Sequence, residues 1–123
     1  MILVDTSVWI DHLNRGDSLL SELLNKGLVA THPFVIGELA LGSLRQRDRV
    51  IQALQALPTI PRAFDDEVLV FIQNHALQGS GIGYVDAHLL ASVQLAQPSS
   101  LLTRDRRLGE ACRQLGISYA PGA

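Results

Sequence analysis

The reading of the fold turns on Ile2-Leu3-Val4-Asp5-Thr6-Ser7-Val8-Trp9. Ile2 to Val4 is a wholly apolar run, the pattern of a strand buried on both faces, and such strands belong to parallel sheets covered by helices. Asp5 closes that run with a carboxylate, and a helical stretch begins at Val8, with Thr6 or Ser7 able to cap it. A charge at the end of a buried strand is costly unless it is paired or put to use. The stretch therefore marks both the fold class and a candidate site.

Working outward, the same alternation continues along the chain. Gly16-Asp17-Ser18 breaks the first helix and starts another, whose Leu19, Leu20, Leu23 and Leu24 form an apolar stripe ended by Lys26-Gly27. Leu28 to Ala30 reads as a second strand. Pro33 suits the first turn of a helix running to about Gly42, and a further helix covers Arg47 to Leu57. Thr59-Ile60, between Pro58 and Pro61, is a very short third strand. Asp65 or Asp66 opens a helix through about Leu77, the Gly-rich loop Gly79 to Gly83 follows, and Tyr84 to Ala96 is helical. Ser100 to Thr103 is a fourth strand, Arg106 to Leu115 the last helix, and Ile117 to Tyr119 a fifth strand. The pattern predicts an α/β fold: a parallel five-stranded sheet of order 3-2-1-4-5 with helices on both faces.

The chain has 123 residues with 47% hydrophobic and 18% charged, the make-up of one folded domain rather than a disordered segment. No apolar run is long enough to span a bilayer, and Met1 leads straight into the first strand without a secretory leader. A single cysteine, Cys112, forms no internal disulfide, and no Cys/His cluster offers a zinc site. We expect a cytoplasmic protein without membrane contact. Net charge is −2, which alone argues mildly against a nucleic-acid coat. Nine of the ten basic residues are arginine, however, the side chain suited to forked recognition of phosphate. If four acids hold metal ions, the remaining balance turns positive.

Four carboxylates stand out. In the expected strand order, Asp5 and Asp105 lie beyond the carboxyl ends of neighbouring strands at the topological switch point, where ligands bind. Two like charges there must take up a proton or bind a cation. Asp86 shares a helix face with Leu89, Leu90 and Val93, and Glu38 one with Val35, Leu41 and Gly42, by helical offsets. Singly, each acid has a plainer reading. Asp86 and Asp105 can cap helices, and Glu38 can pair with an arginine. Together the four are harder to explain by structure alone.

Four segments carry a family resemblance: Val4-Asp5-Thr6-Ser7-Val8-Trp9-Ile10-Asp11, Glu38-Leu39-Ala40-Leu41-Gly42, Gly83-Tyr84-Val85-Asp86-Ala87-His88-Leu89-Leu90-Ala91-Ser92 and Leu102-Thr103-Arg104-Asp105. In order and spacing they resemble the motifs of PIN-domain nucleases, and within them the VapC-type toxins of toxin–antitoxin pairs. The resemblance implies one PIN domain over 1–123 with a three-layer fold. It implies that Asp5, Glu38, Asp86 and Asp105 form one catalytic pocket holding Mg²⁺ or Mn²⁺, and all-oxygen sites do suit hard cations. The implied activity is metal-dependent endoribonuclease cleavage of RNA. The implied partners are a VapB-type antitoxin and a second copy in a homodimer.

Ser7 and Thr103 face the same crevice and could hold a water or a phosphate oxygen, although Ser7 also reads as a helix cap. Arg104, Arg106 and Arg107 flank Asp105 and could meet the RNA backbone, or form a solvated face. Asp11 is near enough to Asp5 for a supporting role. His88 lies about 200° round the helix from Asp86 and should point away. Trp9 reads as a core or interface anchor, and Cys112 as a small buried hydrophobe. A receiver domain would need a lysine near its fifth strand, but the one lysine is Lys26. A haloacid-type phosphatase would need a second acid two positions after Asp5, where Ser7 stands. The remaining rivals are a catalytically inactive PIN-like module that binds protein or RNA, and a deoxyribonuclease with the same pocket chemistry.

Overall fold

Three parallel strands form the centre of the molecule: β1 (Ile2–Val4), β2 (Val29–Ala30) and β3 (Ser100–Leu102), in the order β2-β1-β3. The computed structural model describes residues 1–120. Register is tight, with Leu3 opposite Ala30 on one side and Leu101 on the other. All three residues of β1 are buried, as a strand covered on both faces must be.

The five-stranded sheet expected from the sequence is corrected to three strands. The two outer segments lie alongside the sheet, but each is reduced to a single parallel bridge: Thr59 beside Thr31, and Ser118 beside Leu101. Thr31 donates to the Pro58 carbonyl and Ile60 to that of Thr31, both at 2.8 Å. Pro58 and Pro61 have no N–H with which to lengthen that ladder. On the other edge, Leu101 donates to Ile117 and receives from Tyr119, immediately after Gly116 turns the chain with φ +72°. That left-handed conformation suits glycine.

Among the described residues seven helices surround the sheet: α1 (Thr6–Arg15), α2 (Ser18–Asn25), α3 (Pro33–Leu41), α4 (Arg47–Gln55), α5 (Asp65–Asn74), α6 (Tyr84–Leu95) and α7 (Arg106–Leu115). Their boundaries follow local chemistry. Asp17 caps α2 by accepting from the Leu20 N–H, and Pro33 occupies the first turn of α3 behind a His32 cap. Glu67 reaches back to the Phe64 N–H at the start of α5. Helix α6 is the most enclosed, with every residue from Ala87 to Val93 buried. It packs beside α5 and β3. No helix among the described residues is long and apolar enough to cross a membrane.

A buried polar relay ties α3, α6 and the segment before α5 together. His32 Nδ1 accepts from the Phe34 N–H at 3.0 Å, so the neutral ring carries its proton on Nε2. That N–H donates to Ser92 Oγ at 3.0 Å, which also accepts from the Ala63 N–H at 3.0 Å. The relay fixes the two helices that carry Glu38 and Asp86 relative to one another.

Candidate active site

Asp5 leaves β1 with its N–H donating to the Leu102 carbonyl at 2.9 Å, which locks the ends of β1 and β3 side by side. It stands at the N-cap of α1, yet its side chain accepts no capping bond from the backbone N–H groups of that helix. Instead its Oδ2 accepts two hydroxyls, Thr103 Oγ1 at 2.7 Å and Ser7 Oγ at 3.0 Å. Ser7 and Thr103 therefore converge on the acid, as the sequence suggested, whereas capping by Ser7 is not observed. Asp5 is only 6% exposed, and two donors on one oxygen fix the plane of its carboxylate.

The same hydroxyls tie in the next segment. Thr103 Oγ1 accepts the Asp105 N–H at 3.0 Å, and Ser7 Oγ accepts the Arg104 N–H at 3.1 Å. Asp105 then caps α7 through the Leu108 N–H at 2.9 Å. Its plainer reading as a helix cap thus holds in addition to its position beside the crevice. Glu38 accepts from Thr6 Oγ1 at 2.8 Å, linking α3 to the first residue of α1. The stripe assigned to Glu38 is corrected. Val35 is buried, but Glu38 is exposed and Leu41 is 91% exposed, because α3 turns that edge to solvent.

Asp86, in the first turn of α6, joins the four acids electrostatically. Its carboxyl is pushed up to about 6, first by burial and then by the negative charges of Asp5, Asp105 and, less strongly, Glu38, with the Gly83 backbone opposing. Three acids from three other segments therefore all bear on Asp86. Among the described residues, no three His, Cys, Asp or Glu side chains are grouped tightly enough to enclose an ion by themselves. Burial and then the charge of Asp5 raise the Cys112 thiol to about 12, so it is inert packing.

The sequence profile of the PIN domain matches residues 2–114. The chain belongs to the PIN-domain family. It is 50% identical over 120 residues to Ribonuclease VapC32 of Mycobacterium tuberculosis, in strain H37Rv and equally in strain CDC 1551 / Oshkosh. The alignment covers 98% of this chain and 97% of that protein. Two solved structures share the fold of this PIN-domain protein. One is a toxin–antitoxin complex from Klebsiella pneumoniae, with TM-score 0.65 and 23% identity over 85% of this chain and 87% of that one. The other is PAE2754 from Pyrobaculum aerophilum, with TM-score 0.66 and 18% identity over 96% and 87%.

Several assignments within the PIN-domain chain change once the geometry is known. Arg104 does not face the acids: its guanidinium is held by Asp11 at 2.9 Å and by Asp17. Arg107 lies over the Gly-rich loop, donating to the Gly81 carbonyl at 3.3 Å. Gly81 has φ +88°, and a Cβ there would stand 2.8 Å from the Arg107 guanidinium, so the loop needs glycine at this position. His88 does point away from Asp86, packing edge-on between Phe34 and Tyr84 and meeting Asp65 at 3.1 Å. Trp9 is buried in the core. Sequence reasoning missed Thr6 as the partner of Glu38 and Asp17 as a partner of Arg104. The run Asp5-Thr6-Ser7 held a usable hint, since two adjacent hydroxyls beside an acid point in different directions on a helix.

Proposed function

We propose that this chain is a divalent-metal-dependent endoribonuclease and the toxin of a toxin–antitoxin pair, with residues 1–123 acting as a single PIN domain. The observation that carries the reading is the placement of Asp86 where the charges of Asp5, Asp105 and Glu38 all raise its carboxyl. Four carboxylates sharing one crevice call for a positive charge, and RNA cleavage is chemistry that uses one. Near-full-length 50% identity to a protein named as a ribonuclease supports the same class.

The donor set fits Mg²⁺ or Mn²⁺. All its groups are carboxylate oxygens, and magnesium is commonly held by one or two carboxylates with waters completing its shell. We assign Asp5 and Asp86 as the main ligands, with Asp105 and Glu38 completing the site directly or through water. When bound, such a cation supplies Lewis acidity and neutralises charge at the reacting phosphodiester.

The chain's own residues do the rest. Ser7 and Thr103 hold Asp5 by Oδ2, leaving Oδ1 without a protein donor among the described residues. Glu38, exposed and tethered by Thr6, orients the attacking water and takes its proton as the water oxygen bonds to phosphorus; the bond to the leaving oxygen breaks, and that oxygen is protonated by solvent. Asp105, fixed by capping α7, sets the opposite wall. Arginines near the rim steer the phosphate backbone toward the site. A cytoplasmic location, a VapB-type antitoxin and a homodimer complete the proposal.

The test is cleavage of RNA oligonucleotides by the purified chain with Mg²⁺ or Mn²⁺, beside matched DNA, EDTA and Asp5→Asn. We expect RNA cleavage that falls at least about a hundredfold with EDTA or with the substitution, the scale expected on losing a principal electrostatic group. Cleavage that survives both removes the carboxylate–metal mechanism. A folded, antitoxin-free protein that cuts no RNA on a broad panel is instead a binding module.

A further inference from the structure

The structure assigns Arg104 the role of a positioning residue, a clamp that keeps Ser7 and Thr103 converged on Asp5, rather than a contact to RNA. The inference rests on the nuclease reading above. Arg104 follows Thr103 directly, at the point where the chain leaves β3. Its backbone N–H donates to Ser7 Oγ at 3.1 Å, the same hydroxyl that donates to Asp5 Oδ2. From there its side chain crosses to the far end of the first helical hairpin. One guanidinium nitrogen meets Asp11 in the middle of α1 at 2.9 Å, and the other meets Asp17, the N-cap of α2.

Main chain and side chain of one residue thus bind both the start of α1 and the turn beyond its end. A rigid helix held at two points cannot rotate about its axis, and that rotation is what would carry Ser7 away from Asp5. Asp17 is only 13% exposed on its side chain. Its carboxyl lies below the usual range, held there by the Leu20 N–H and by Arg104, against the opposing effect of burial. A guanidinium shared by two acids, one of them nearly buried, has little free charge to offer a phosphate. Planar fork geometry explains why arginine rather than lysine fits here, since one ammonium cannot span both carboxylates in line.

The experiment compares the full chain with Arg104→Leu, Arg104→Lys and Asp11→Asn. It measures kcat and KM for a Mg²⁺-supported RNA substrate across a salt series, Mn²⁺ affinity by calorimetry, and thermal stability. Arg104→Leu should lower kcat about tenfold or more with KM within about twofold, and weaken Mn²⁺ binding about tenfold, as loss of an outer partner of a ligand does. The salt dependence should be unchanged, because no phosphate contact is lost. Arg104→Lys should recover part of the activity, and Asp11→Asn should weaken both activity and Mn²⁺ binding. The clamp is overturned if Arg104→Leu raises KM and flattens the salt dependence while Asp11→Asn tightens RNA binding. Should Arg104→Leu fail to fold, Arg104→Lys and Asp11→Asn decide by the same readouts. If the wild-type chain cuts no RNA, the nuclease reading fails alone; the clamp then stands or falls on Mn²⁺ affinity, and equal affinities across the variants overturn it.

Discussion

Acid should weaken this protein through His32, a residue outside the proposed chemistry. The ring is fully buried, accepts from the Phe34 N–H and donates to Ser92. A second proton would have to sit on Nδ1, facing the Phe34 N–H and abolishing the cap of α3. Burial, followed by the nearby His88 and Arg62, lowers its pKa from 6.5 to about 4. Between those values the unfolded chain holds more protons on this residue than the folded one, so stability rises with pH. The contribution is complete above the unfolded value and is lost as pH falls toward the folded one. Going from about pH 7 to about pH 4.5 should remove roughly 2 kcal/mol by this route alone. The assay is urea unfolding followed by circular dichroism in EDTA at both pH values, for wild type and His32→Asn. Asparagine keeps an acceptor at a position where it is a favoured cap, but does not titrate. The variant starts less stable and should then lose about 2 kcal/mol less than wild type on acidification. All carboxylates are common to both proteins, so their contributions cancel in the difference. Equal losses in the two proteins refute the reasoning.

Two other substitutions probe the same architecture. Asp86 has a raised carboxyl pKa of about 6, so it is bound more tightly to its proton when folded, and stability increases as pH falls through that value. In EDTA near neutral pH, Asp86→Asn should therefore raise stability by about 1–3 kcal/mol while abolishing RNA cleavage; an unchanged or lower melting temperature contradicts the electrostatic account. Ser92→Ala strands the Ala63 N–H and the His32 Nε2–H and should lower stability by about 2–5 kcal/mol, the cost of two unsatisfied buried donors. A loss under about 1 kcal/mol by urea titration would mean that the relay does not hold the helices together.

What the sequence disclosed was mostly what is local. Asp105 and Gly116 bracket α7, and that helix runs from Arg106 to Leu115 as expected. Asp5 announced itself because a charge at the end of Ile2-Leu3-Val4 has few structural excuses. The outer strands were placed on the correct sides of the sheet, yet pairing length depends on the neighbouring backbone, and each has a single bridge. Leu41 misled for a related reason: helical offsets show which residues share a face, not where that face points. For Arg104 the sequence suggested a substrate-binding or supporting residue but gave no sign of its partners. Its partners lie 93 residues away at Asp11 and further along the same hairpin at Asp17, and flanking the candidate site acid Asp105 made it resemble a phosphate ligand. His32 and Ser92, 60 residues apart, carried no pattern that would join them.

Asp5 and Asp105 both occupy helix N-caps, and Asp86 lies in the first turn behind the Gly83 cap. Three helices, α1, α6 and α7, therefore begin at the acidic crevice. Each N-terminus carries roughly half a positive charge from its aligned peptide dipoles. The acids thus sit in a standing positive field supplied by the backbone, one that no chelator removes. That field offsets part of the repulsion between carboxylates that stand near one another. It also points toward the anion that the same crevice would receive, so the scaffold that tolerates the acids favours an approaching phosphate.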